Sequence, residues 1–303
     1  MKMEKTRFGN LVFIPGMGGG RYPFCNSLYI DDKKKAIIDP ASDELFLRKL
    51  AGGKKVDIVI NSHYHEDHIA FNYLFPEAEL YVHEAIGTCF RSYSSFLDYC
   101  GLLDSKYRKE WDDLFLNKFH FEERTPAVEF GDGDLLIFGN TKLRVIHTPG
   151  HTAGHCSFHF PDQGILFMGD LDLSRFGPWY GDKVSDIDQT IQSMRRLLEI
   201  PADIYITSHE TGIIQGDIIE LVETYLNVIT QREKKILEFL ERPRTLLEIV
   251  ERWIIFKREL QPRYFFEFAE RGMIIKHLER LIRNGSVRTE DGKFYLISSV
   301  DKT

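Results

Sequence analysis

The sequence predicts an α+β protein in which two β-sheets pack face to face and helices cover both outer faces, an αββα sandwich. Two observations lead to this fold class. Short β-rich runs and helical segments alternate in two separate blocks of the 303-residue chain. One early run, Val56–Ile60, is apolar except for Asp57, which is typical of a strand buried on both faces.

Apolar runs bounded by turn residues give the strands of both blocks. In the first block we predict strands at Leu11–Pro15, Asn26–Ile30, Lys35–Asp39, Val56–Ile60 and Glu79–His83. Helices are predicted at Glu44–Leu50 and from about His68 onward. The second block, Val128–Asp170, is followed by a helix at Asp186–Glu199 and a strand at Ile204–Thr207. This double block with interleaved helices indicates the sandwich.

Aromatic side chains recur at mostly helical spacing between residues of about 85 and 123, among them Phe90, Tyr93, Trp111 and Phe115. This periodicity predicts a two-helix insertion in the main domain. Two interpretations stay open. The helices either cover the sheet as a packed pair, or form a lid whose aromatic side chains line the entrance to the substrate site.

The pair Arg242-Pro243 ends a long predicted helix that begins near Gly216, and it marks a natural boundary. Beyond it we predict helices at Leu246–Trp253 and Tyr264–Arg283, followed by a β-hairpin around Asp291-Gly292. Helices followed by a hairpin describe a winged helix. We therefore predict a main domain at residues 1–242, with the insertion at about 85–123, and a small winged-helix-like domain at 243–303.

The net charge of −7 is unevenly distributed. From Pro243 onward there are 12 Lys or Arg against 9 Asp or Glu, a local charge of +3, which leaves an acidic main domain. Lys276, Arg280 and Arg283 share one face of a predicted helix, which suits either a phosphate-binding stripe or a solvated face on a domain used for packing or dimerisation. Interspersed glutamates and the acidic main domain favour packing or dimerisation over nucleic-acid binding.

Nothing in the sequence predicts a membrane partner. No apolar stretch approaches the roughly 18 residues that cross a bilayer. The N-terminal segment MKMEKTRFGNL lacks the apolar core of a signal peptide. The four cysteines form no CxxC pair and are expected to be reduced thiols. We therefore expect a cytoplasmic protein.

The segment His63-Tyr64-His65-Glu66-Asp67-His68 directly follows the predicted strand Val56–Ile60. It therefore lies in the loop at the carboxyl end of a buried strand, where the functional sites of layered folds gather. In an extended loop, positions 63, 65 and 67 project to one side, while His68 begins the next element. Two imidazoles beside an Asp-His pair can hold two metal ions a few ångströms apart.

Three further predicted strands also end in a histidine or an aspartate. The strand that ends near His147 leads through a Pro-Gly turn to His151. The run Ile165–Gly169 leads to Asp170, and Ile204–Thr207 leads through Ser208 to His209. Packing alone does not account for four apolar strands that each deliver an imidazole or a carboxylate. These side chains are therefore predicted metal ligands.

These motifs, together with Asp39, resemble those of the metallo-β-lactamase superfamily over about residues 10–215. The resemblance implies the metallo-β-lactamase sandwich and a site for two metal ions. It implies that one ion is bound by His63, His65 and His151 and the other by Asp67, His68 and His209. It further implies that Asp170 bridges both ions and that Asp39 supports the ligand loop without touching a metal.

The identity of two predicted ligands distinguishes between branches of this superfamily. Diiron oxygen-reducing relatives carry Glu where this chain has His65, and serum-type lactamases lack the bridging carboxylate that Asp170 supplies. The site therefore resembles the glyoxalase II, lactonase and ribonuclease Z type. Imidazole and carboxylate ligands accept zinc, iron or manganese, and we predict zinc.

The resemblance implies a metal-dependent hydrolase. We expect metal-bound hydroxide to attack the ester, thioester or lactone carbonyl of a small acyl substrate, with Asp67 and Asp170 as catalytic residues. One alternative is an endoribonuclease or other phosphodiesterase, because an appended winged helix resembles the lactamase-like endoribonuclease branch. A second alternative is a persulfide dioxygenase that uses a single iron ion.

Candidate residues outside the predicted ligand set are fewer. In the loop after Asp170, Arg175 could receive a substrate carboxylate or phosphate, and Tyr180 could donate to an oxyanion. The alternative for both is a loop packed for shape. His155 is either a support for the metal site or an ordinary structural residue.

Overall fold

The computed structural model describes residues 5–53 and 55–297. Two β-sheets face each other across a core of aliphatic and aromatic side chains, for example Leu28 and Ile60 of one sheet and Phe158 and Phe167 of the other. Helices cover the outer face of each sheet. The predicted α+β fold class and αββα layering are confirmed.

The first sheet contains seven strands hydrogen-bonded in chain order. They are β1 (Thr6–Phe8), β2 (Leu11–Ile14), β3 (Ser27–Asp31), β4 (Lys35–Ile38), β5 (Ile58–Ile60), β6 (Glu79–His83) and β7 (Val128–Phe130). Strands β1 to β4 are antiparallel, whereas β4 to β7 run parallel to one another. The carboxyl ends of β4 and β5 therefore lie at the same edge of the sheet.

The second sheet contains six strands, which are β8 (Leu135–Ile137), β9 (Lys142–His147), β10 (Cys156–Phe160), β11 (Ile165–Gly169), β12 (Ile204–Thr207) and β13 (Ile213–Gln215). Their spatial order is β13-β12-β11-β10-β9-β8. Strands β11 and β12 are parallel, and the other neighbours are antiparallel. The carboxyl ends of β11 and β12 consequently share one edge, as do those of β4 and β5.

The helices before Arg242 are α1 (Met17–Gly20), α2 (Glu44–Gly52), α3 (Glu66–Ile69), α4 (Gly87–Arg91), α5 (Tyr93–Cys100), α6 (Arg108–Asp112), α7 (Ile187–Leu197) and α8 (Ile219–Phe239). Short 3₁₀ turns lie at 72–74, 84–86 and 161–163. Asp43 and Asp186 begin α2 and α7 by accepting hydrogen bonds from the backbone N–H groups of Phe46 and Gln189, as N-cap residues do. No helix in the described ranges is long and apolar enough to cross a bilayer.

The insertion is more broken than the predicted two helices. It consists of α4, α5 and α6 followed by a π-helical turn at Asp113–Lys118. Gly101 ends α5 in a left-handed conformation, which a helical periodicity does not reveal. Phe96 and Trp111 pack in the same core as Val59 and Val82 of the first sheet, so the insertion does cover that sheet.

Beyond Arg242 the chain forms β14 (Arg244–Thr245), α9 (Leu246–Val250), α10 (Arg263–Arg283), β15 (Val287–Glu290) and β16 (Lys293–Leu296). The three strands form a small sheet in the order β14-β16-β15. The predicted hairpin is present, with its turn at Asp291-Gly292. The division into domains at residue 242 and the winged-helix character of 243–303 stay predictions.

The basic face of α10 does not form a free phosphate-binding stripe, because its cations are paired with other parts of the chain, although the Arg283 side chain stays half exposed. Arg280 donates to Asp188 and to Glu233, each at 2.6 Å. Arg283 lies 2.9 Å from Asp188, and the ammonium of Lys276 donates to the backbone carbonyl of Lys183 at 2.8 Å. Helix α10 is therefore docked on α7 and α8, because its Arg280 pairs with an acidic residue of each of these helices.

Candidate metal centre

The seven predicted ligands converge at the shared edge of the two sheets. The loop after β5 carries His63 and His65, and α3 carries Asp67 and His68. The second sheet contributes His151 after β9, Asp170 directly after β11, and His209 two residues after β12. A backbone hydrogen bond of 2.9 Å from the N–H of Cys156 to the carbonyl of Ser62 fastens the two edges together.

Four of these side chains form a first cluster, whose possible ligand atoms all lie within 4.8 Å of one another. His151 Nε2 lies 3.2 Å from His63 Nε2 and 3.0 Å from His65 Nδ1. Asp170 Oδ2 lies 3.5 Å from His151 Nε2 and 3.8 Å from His63 Nε2. Three imidazole nitrogens and one carboxylate oxygen thus surround a single point.

Asp67, His68 and His209 form a second cluster of the same kind. His68 Nε2 and His209 Nε2 are 3.3 Å apart. Asp67 Oδ2 lies 3.4 Å from His209 Nε2, and Asp67 Oδ1 lies 3.9 Å from His68 Nε2. This cluster supplies two nitrogens and one carboxylate.

Asp170 connects the two clusters. While its Oδ2 faces the first cluster, its Oδ1 lies 2.9 Å from His68 Nε2 and 3.3 Å from His209 Nε2. Oδ1 is nevertheless buried without accepting a well-oriented hydrogen bond from any described residue. A buried carboxylate oxygen without such a hydrogen bond is energetically costly unless another group interacts with it. The arrangement is that of a carboxylate with one oxygen for each of two sites.

The outer nitrogen of each histidine faces an oxygen atom. His65 Nε2 lies 2.8 Å from Asp182 Oδ2, His68 Nδ1 3.0 Å from Asp39 Oδ2, His63 Nδ1 3.0 Å from Ser62 Oγ, His151 Nδ1 3.2 Å from the carbonyl of Trp179, and His209 Nδ1 2.8 Å from the carbonyl of Gly20. Carboxylates and carbonyls only accept, and the Ser62 hydroxyl donates its own proton to Asp39. Each outer nitrogen therefore carries a proton, which leaves each inner nitrogen to bind either a second proton or a metal ion.

Inner nitrogens that face one another at 3.0 to 3.3 Å have lone pairs that repel unless a proton or a metal cation lies between them. All donor atoms are imidazole nitrogens or carboxylate oxygens, and no thiolate takes part. This chemistry, with the unsatisfied oxygen of Asp170, fits divalent cations such as zinc, iron or manganese. The described residues are thus suited to hold the metal that the sequence predicts.

The electrostatics of the site follow from burial and from this crowding. Burial alone would raise the pKa of Asp170, but the imidazoles of His68 and His209 lower that pKa well below its usual range. Burial opposes a charge on His209, whereas Asp170 raises the pKa of His209 to about 10. Burial and the neighbouring His68 lower the pKa of His63 well below its usual value. Protons and metal ions compete for the same atoms here.

Asp39 lies behind the ligand loop, as the resemblance implies. Its Oδ1 accepts the backbone N–H of Ser62 at 2.7 Å, and its Oδ2 accepts the Ser62 hydroxyl at 2.6 Å and faces His68. Asp39 has a φ of 47°, a left-handed conformation that Asp tolerates better than most residues. Asp39 thus fixes both the loop and the orientation of one imidazole.

Two residues that support the ligands were not clearly predicted from the sequence. His155 Nε2 accepts the backbone N–H of Asp170 at 3.0 Å, so His155 holds the connecting carboxylate in place. Asp182 was missed: it faces His65 and accepts a hydrogen bond from Tyr64. No strand end or motif marks Asp182, because its contact with His65 spans 117 residues of sequence.

A cavity of about 440 Å³ opens beside the two clusters. His65, Asp67, His151, Asp170 and His209 form part of its lining. Much of the remaining lining is aromatic and comes from the insertion, the loop after β11 and the chain beyond Arg242, with one tyrosine from the segment before β3 and one from α8. These aromatic residues are Tyr22, Trp111, Phe115, Phe176, Trp179, Tyr225, Phe256, Phe265, Phe266 and Phe268. The insertion therefore both covers the sheet and lines the cavity.

The two predicted substrate-binding residues do not belong to the described lining. Tyr180 is fully buried, and its hydroxyl lies 2.8 Å from both an Arg232 nitrogen and His277 Nε2. Tyr180 therefore tethers a loop instead of facing the cavity as an oxyanion donor. Arg175 is exposed. The interpretation of this segment as a loop packed for shape agrees better with the contacts of Tyr180.

Residues 20–209 match the model of the metallo-beta-lactamase superfamily, and the chain belongs to that superfamily. It is a metal-dependent hydrolase. A hydroxyacylglutathione hydrolase of Gloeobacter violaceus is 29% identical over 214 residues, which cover 66% of this chain and 71% of that protein. One from Francisella tularensis subsp. novicida is 24% identical over 182 residues and 58% of each chain. The chain thus spans little more than half of the second relative.

Two solved structures share the fold over nearly the whole chain. A metallo-beta-lactamase family protein from Thermus thermophilus aligns with a TM-score of 0.73 and 22% identity, covering 95% of this chain and 99% of that one. A beta-lactamase domain protein from Burkholderia ambifaria aligns with a TM-score of 0.66 and 17% identity, covering 97% and 94%. These similarities establish the arrangement of the elements.

Proposed function

We propose that the chain hydrolyses an ester, thioester or lactone carbonyl with two divalent cations held side by side. His63, His65 and His151 would hold one cation, and Asp67, His68 and His209 would hold the other. The observation that carries this proposal is the carboxylate of Asp170, which directs one oxygen at each cluster and whose buried Oδ1 accepts no well-oriented hydrogen bond from the described residues. A single cation would need only one of these oxygens.

Asp67 and Asp170 have the proposed catalytic roles. When bound, divalent cations polarise a carbonyl oxygen and lower the pKa of a water ligand to about 7. The Asp67 carboxylate lines the cavity, where one of its oxygens can accept a hydrogen bond from the attacking water and orient it. Asp170 keeps the two halves of the site at a fixed separation, because the hydrogen bond to His155 holds its backbone.

The proposed substrate class draws on the relatives as well as on the site. The printed names of the curated relatives describe hydrolases of hydroxyacylglutathione, which is a thioester. A carbonyl substrate also suits the cavity, because little of its lining could bind a polyanion. We propose zinc as the metal, since nitrogen and oxygen ligands without a thiolate accept it, as they accept iron and manganese.

The two alternative functions have less support. A nuclease would need free cations, but the α10 face that could have bound phosphate is paired with Asp188, Glu233 and the carbonyl of Lys183. A dioxygenase with one iron ion would have no use for the second cluster. The histidines of that cluster are held by Asp39 and by the carbonyl of Gly20 as firmly as those of the first.

The proposal is tested by removing the metal ions from the protein and then adding them back. Chelated protein should lose thioesterase activity and regain it with Zn²⁺, and elemental analysis should give two ions per chain. The substitution His68→Ala should lower activity by more than about 100-fold, since even outer partners of metal ligands affect affinity or activity by about 10–100-fold. His120→Asn, at an exposed histidine with φ of 53°, is the matched control. One iron ion per chain, with oxygen consumption, would overturn the proposal.

A further inference from the structure

Six aromatic rings form a continuous wall along the cavity. In order of contact, this aromatic wall consists of Phe115, Trp111, Phe265, Phe266, Phe256 and Phe176. Successive ring centroids are 5.5, 5.7, 5.2, 5.3 and 5.4 Å apart, within the range of favourable aromatic pairs. Tyr22 extends the wall, since its ring lies 5.4 Å from that of Phe265.

The aromatic wall is assembled from four separate parts of the chain. The insertion gives Trp111 and Phe115, and α10 gives Phe265 and Phe266. The loop before α10 and the loop after β11 give one phenylalanine each. All six rings line the same cavity as His65, His151, Asp170 and His209. A substrate whose carbonyl lies at the metal clusters would therefore extend along this apolar surface.

The cavity offers little to an anionic substrate arm. Apart from the proposed ligands and Asp182, the charged side chains of the described lining are Arg21, Glu66, Asp172 and Glu210. Arg21 is the one cation among them, and its Nε lies 3.6 Å from Glu210. Glu66 accepts a hydrogen bond from Tyr22. Away from the metal clusters the lining is thus acidic and aromatic, and a carboxylate placed there would lack a counter-charge.

We propose that the substrate is an ester or thioester whose arm beside the scissile carbonyl is uncharged and apolar, either an aliphatic chain or an aromatic ring packed on the aromatic wall. This inference rests on the proposed hydrolase function and narrows it. Phe265 is the specificity-determining residue, because its ring lies in the middle of the wall and contacts those of Trp111, Phe266 and Tyr22. A glutathione thioester, which carries two free carboxylates, is the poorer substrate.

The reaction is a hydrolysis that needs no further reactant. The oxygen of water forms a bond to the carbonyl carbon, and the carbon–sulfur or carbon–oxygen bond breaks with its electron pair moving to the leaving atom. One proton of the water ends on the thiol or alcohol product. The other leaves with the carboxylic acid, which ionises in neutral solution.

The first test compares substrates on the unaltered, zinc-loaded protein. Octanoyl and acetyl thioesters of N-acetylcysteamine, an uncharged thiol, differ only in the length of the acyl chain. The octanoyl thioester should have a kcat/KM at least 100-fold higher, as one methylene in an apolar pocket is worth about 10-fold or more. The octanoyl thioester of glutathione should be at least 10-fold poorer than its uncharged counterpart. Equal values along the chain series, or preference for glutathione, would overturn the inference.

The second test alters the aromatic wall. Phe265→Ala should lower kcat/KM for the octanoyl thioester by about 10–100-fold, mainly through KM, while the acetyl thioester changes by less than about 3-fold. Phe265→Leu should restore part of the loss. The control is Ile282→Ala, which removes an exposed side chain from the same helix outside the cavity. An equal loss on both thioesters would assign Phe265 a merely structural role.

A binding measurement separates this inference from the proposed function. Octanamide cannot be turned over readily, and Trp111 and Trp179 line the cavity as fluorescent reporters. Zinc-loaded protein should bind octanamide at least 10-fold more tightly than acetamide, and Phe265→Ala should weaken the octanamide complex. If this holds while no thioester is hydrolysed, the proposed function fails and the apolar site stands. If octanamide and acetamide bind alike, the apolar site is wrong whatever the hydrolytic activity.

Discussion

The metal centre and the aromatic wall lie in one cavity but are built in different ways. The metal centre takes its side chains from strand ends of the sandwich, and each imidazole is held from outside by an oxygen such as Asp39 Oδ2. The aromatic wall comes from an insertion, two loops and α10, and its rings touch only through van der Waals contacts. Reaction chemistry is therefore placed in the rigid core, and selectivity in segments attached to it.

This difference predicts different consequences of substitution. A change in the metal centre removes a directed hydrogen bond or a ligand atom, so it should affect every substrate alike. A change in the wall removes apolar surface, so its effect should grow with the apolar size of the substrate. A substitution in the contacts that dock α10 on the sandwich should affect both the metal centre and the aromatic wall.

The largest expected effect comes from that docking contact. Helix α10 approaches the loop of Gly181 so closely that a Cβ at Gly272 would lie 2.0 Å from the Gly181 carbonyl oxygen. Gly272→Ala should therefore force the two apart and lower the free energy of unfolding by roughly 3 kcal/mol, the upper part of the usual overpacking cost. It should also lower activity, because Asp182 adjoins the displaced loop. Thermal denaturation and hydrolysis assays measure both.

Gly52→Ala is the matched control for this substitution. Gly52 ends α2 with an ordinary backbone conformation and open space around its Cβ position. Its replacement should leave stability unchanged or raise it by a few tenths of a kcal/mol. A Gly272→Ala protein as stable and active as this control would show that α10 is not tightly docked.

A buried arginine connects the two regions, and we expect its replacement to have the second largest effect. Arg232 is 4% exposed and donates to the carbonyls of Phe176 and Pro178 and to the Tyr180 hydroxyl, at 2.7 to 2.9 Å. Arg232→Met would leave these acceptors unsatisfied, so we expect a loss of about 2–3 kcal/mol in unfolding free energy. Octanoyl thioester turnover should fall more than acetyl turnover, since Phe176 belongs to the aromatic wall.

The exposed Arg252 offers a control for the arginine, because Arg252→Met removes the same charge without a buried network. Chemical denaturation would measure both variants. Equal midpoints for the two would mean that Arg232 does not hold the loop.

Asp39→Asn should affect the metal centre alone. The amide cannot accept from both the Ser62 groups and the His68 N–H as the carboxylate does. Zinc affinity should fall by about 10–100-fold, as expected for an outer partner of a metal ligand. The ratio of octanoyl to acetyl turnover should stay constant at saturating zinc. A competitive chelator titration measures the affinity, and Asp162→Asn on the surface is the control.

The smallest predicted effect is a pH-dependent contribution of Arg280 to stability. Burial would raise the pKa of Asp188, but hydrogen bonds from Arg280 and Arg283 lower it below the ordinary value of 3.8. Burial would also raise the pKa of Glu233, but hydrogen bonds with His277 and Arg280 lower it below 4.5. A depressed carboxyl pKa stabilises the fold above about pH 4.5 and ceases to do so as the pH falls through the folded-state values.

Wild type should therefore exceed Arg280→Gln by about 1 kcal/mol or less at pH 6. The difference should close as the pH falls below about 4. Melting curves at a series of pH values check this. A difference that grows in acid would contradict the assignment of these ion pairs.

Much of the sandwich and the ligand set could be predicted from the sequence, because both depend on local pattern. Apolar runs such as Ile165–Gly169 form strands, and His63 to His68 follow a strand directly. The helix Tyr264–Arg283 was predicted to within one residue of α10 at its start and correctly at its end. These features could be predicted because each depends only on the periodicity of a segment and on the residue that follows the segment.

What the sequence could not supply depends on contacts between distant segments. The partners of the basic face of α10 could not be predicted, because Asp188 and Glu233 lie 92 and 47 residues away from Arg280. Tyr180 resembled an oxyanion donor until Arg232 and His277 were found around its hydroxyl. The aromatic wall was predicted only in part. Trp111 and Phe115 were candidates for lining the substrate entrance, but the spacing of aromatic side chains does not show that rings of α10 and of two loops lie beside them.

The central claim is that one carboxylate joins two metal sites, and the metal content of Asp170→Asn tests it most directly. Wild-type protein should retain two divalent ions per chain after dialysis. The variant should retain fewer than one, with both sites weakened together and hydrolysis lost, because the amide can neither neutralise two cations nor offer them two equivalent oxygens. Two ions per chain and an unchanged hydrolysis rate in Asp170→Asn would contradict the account.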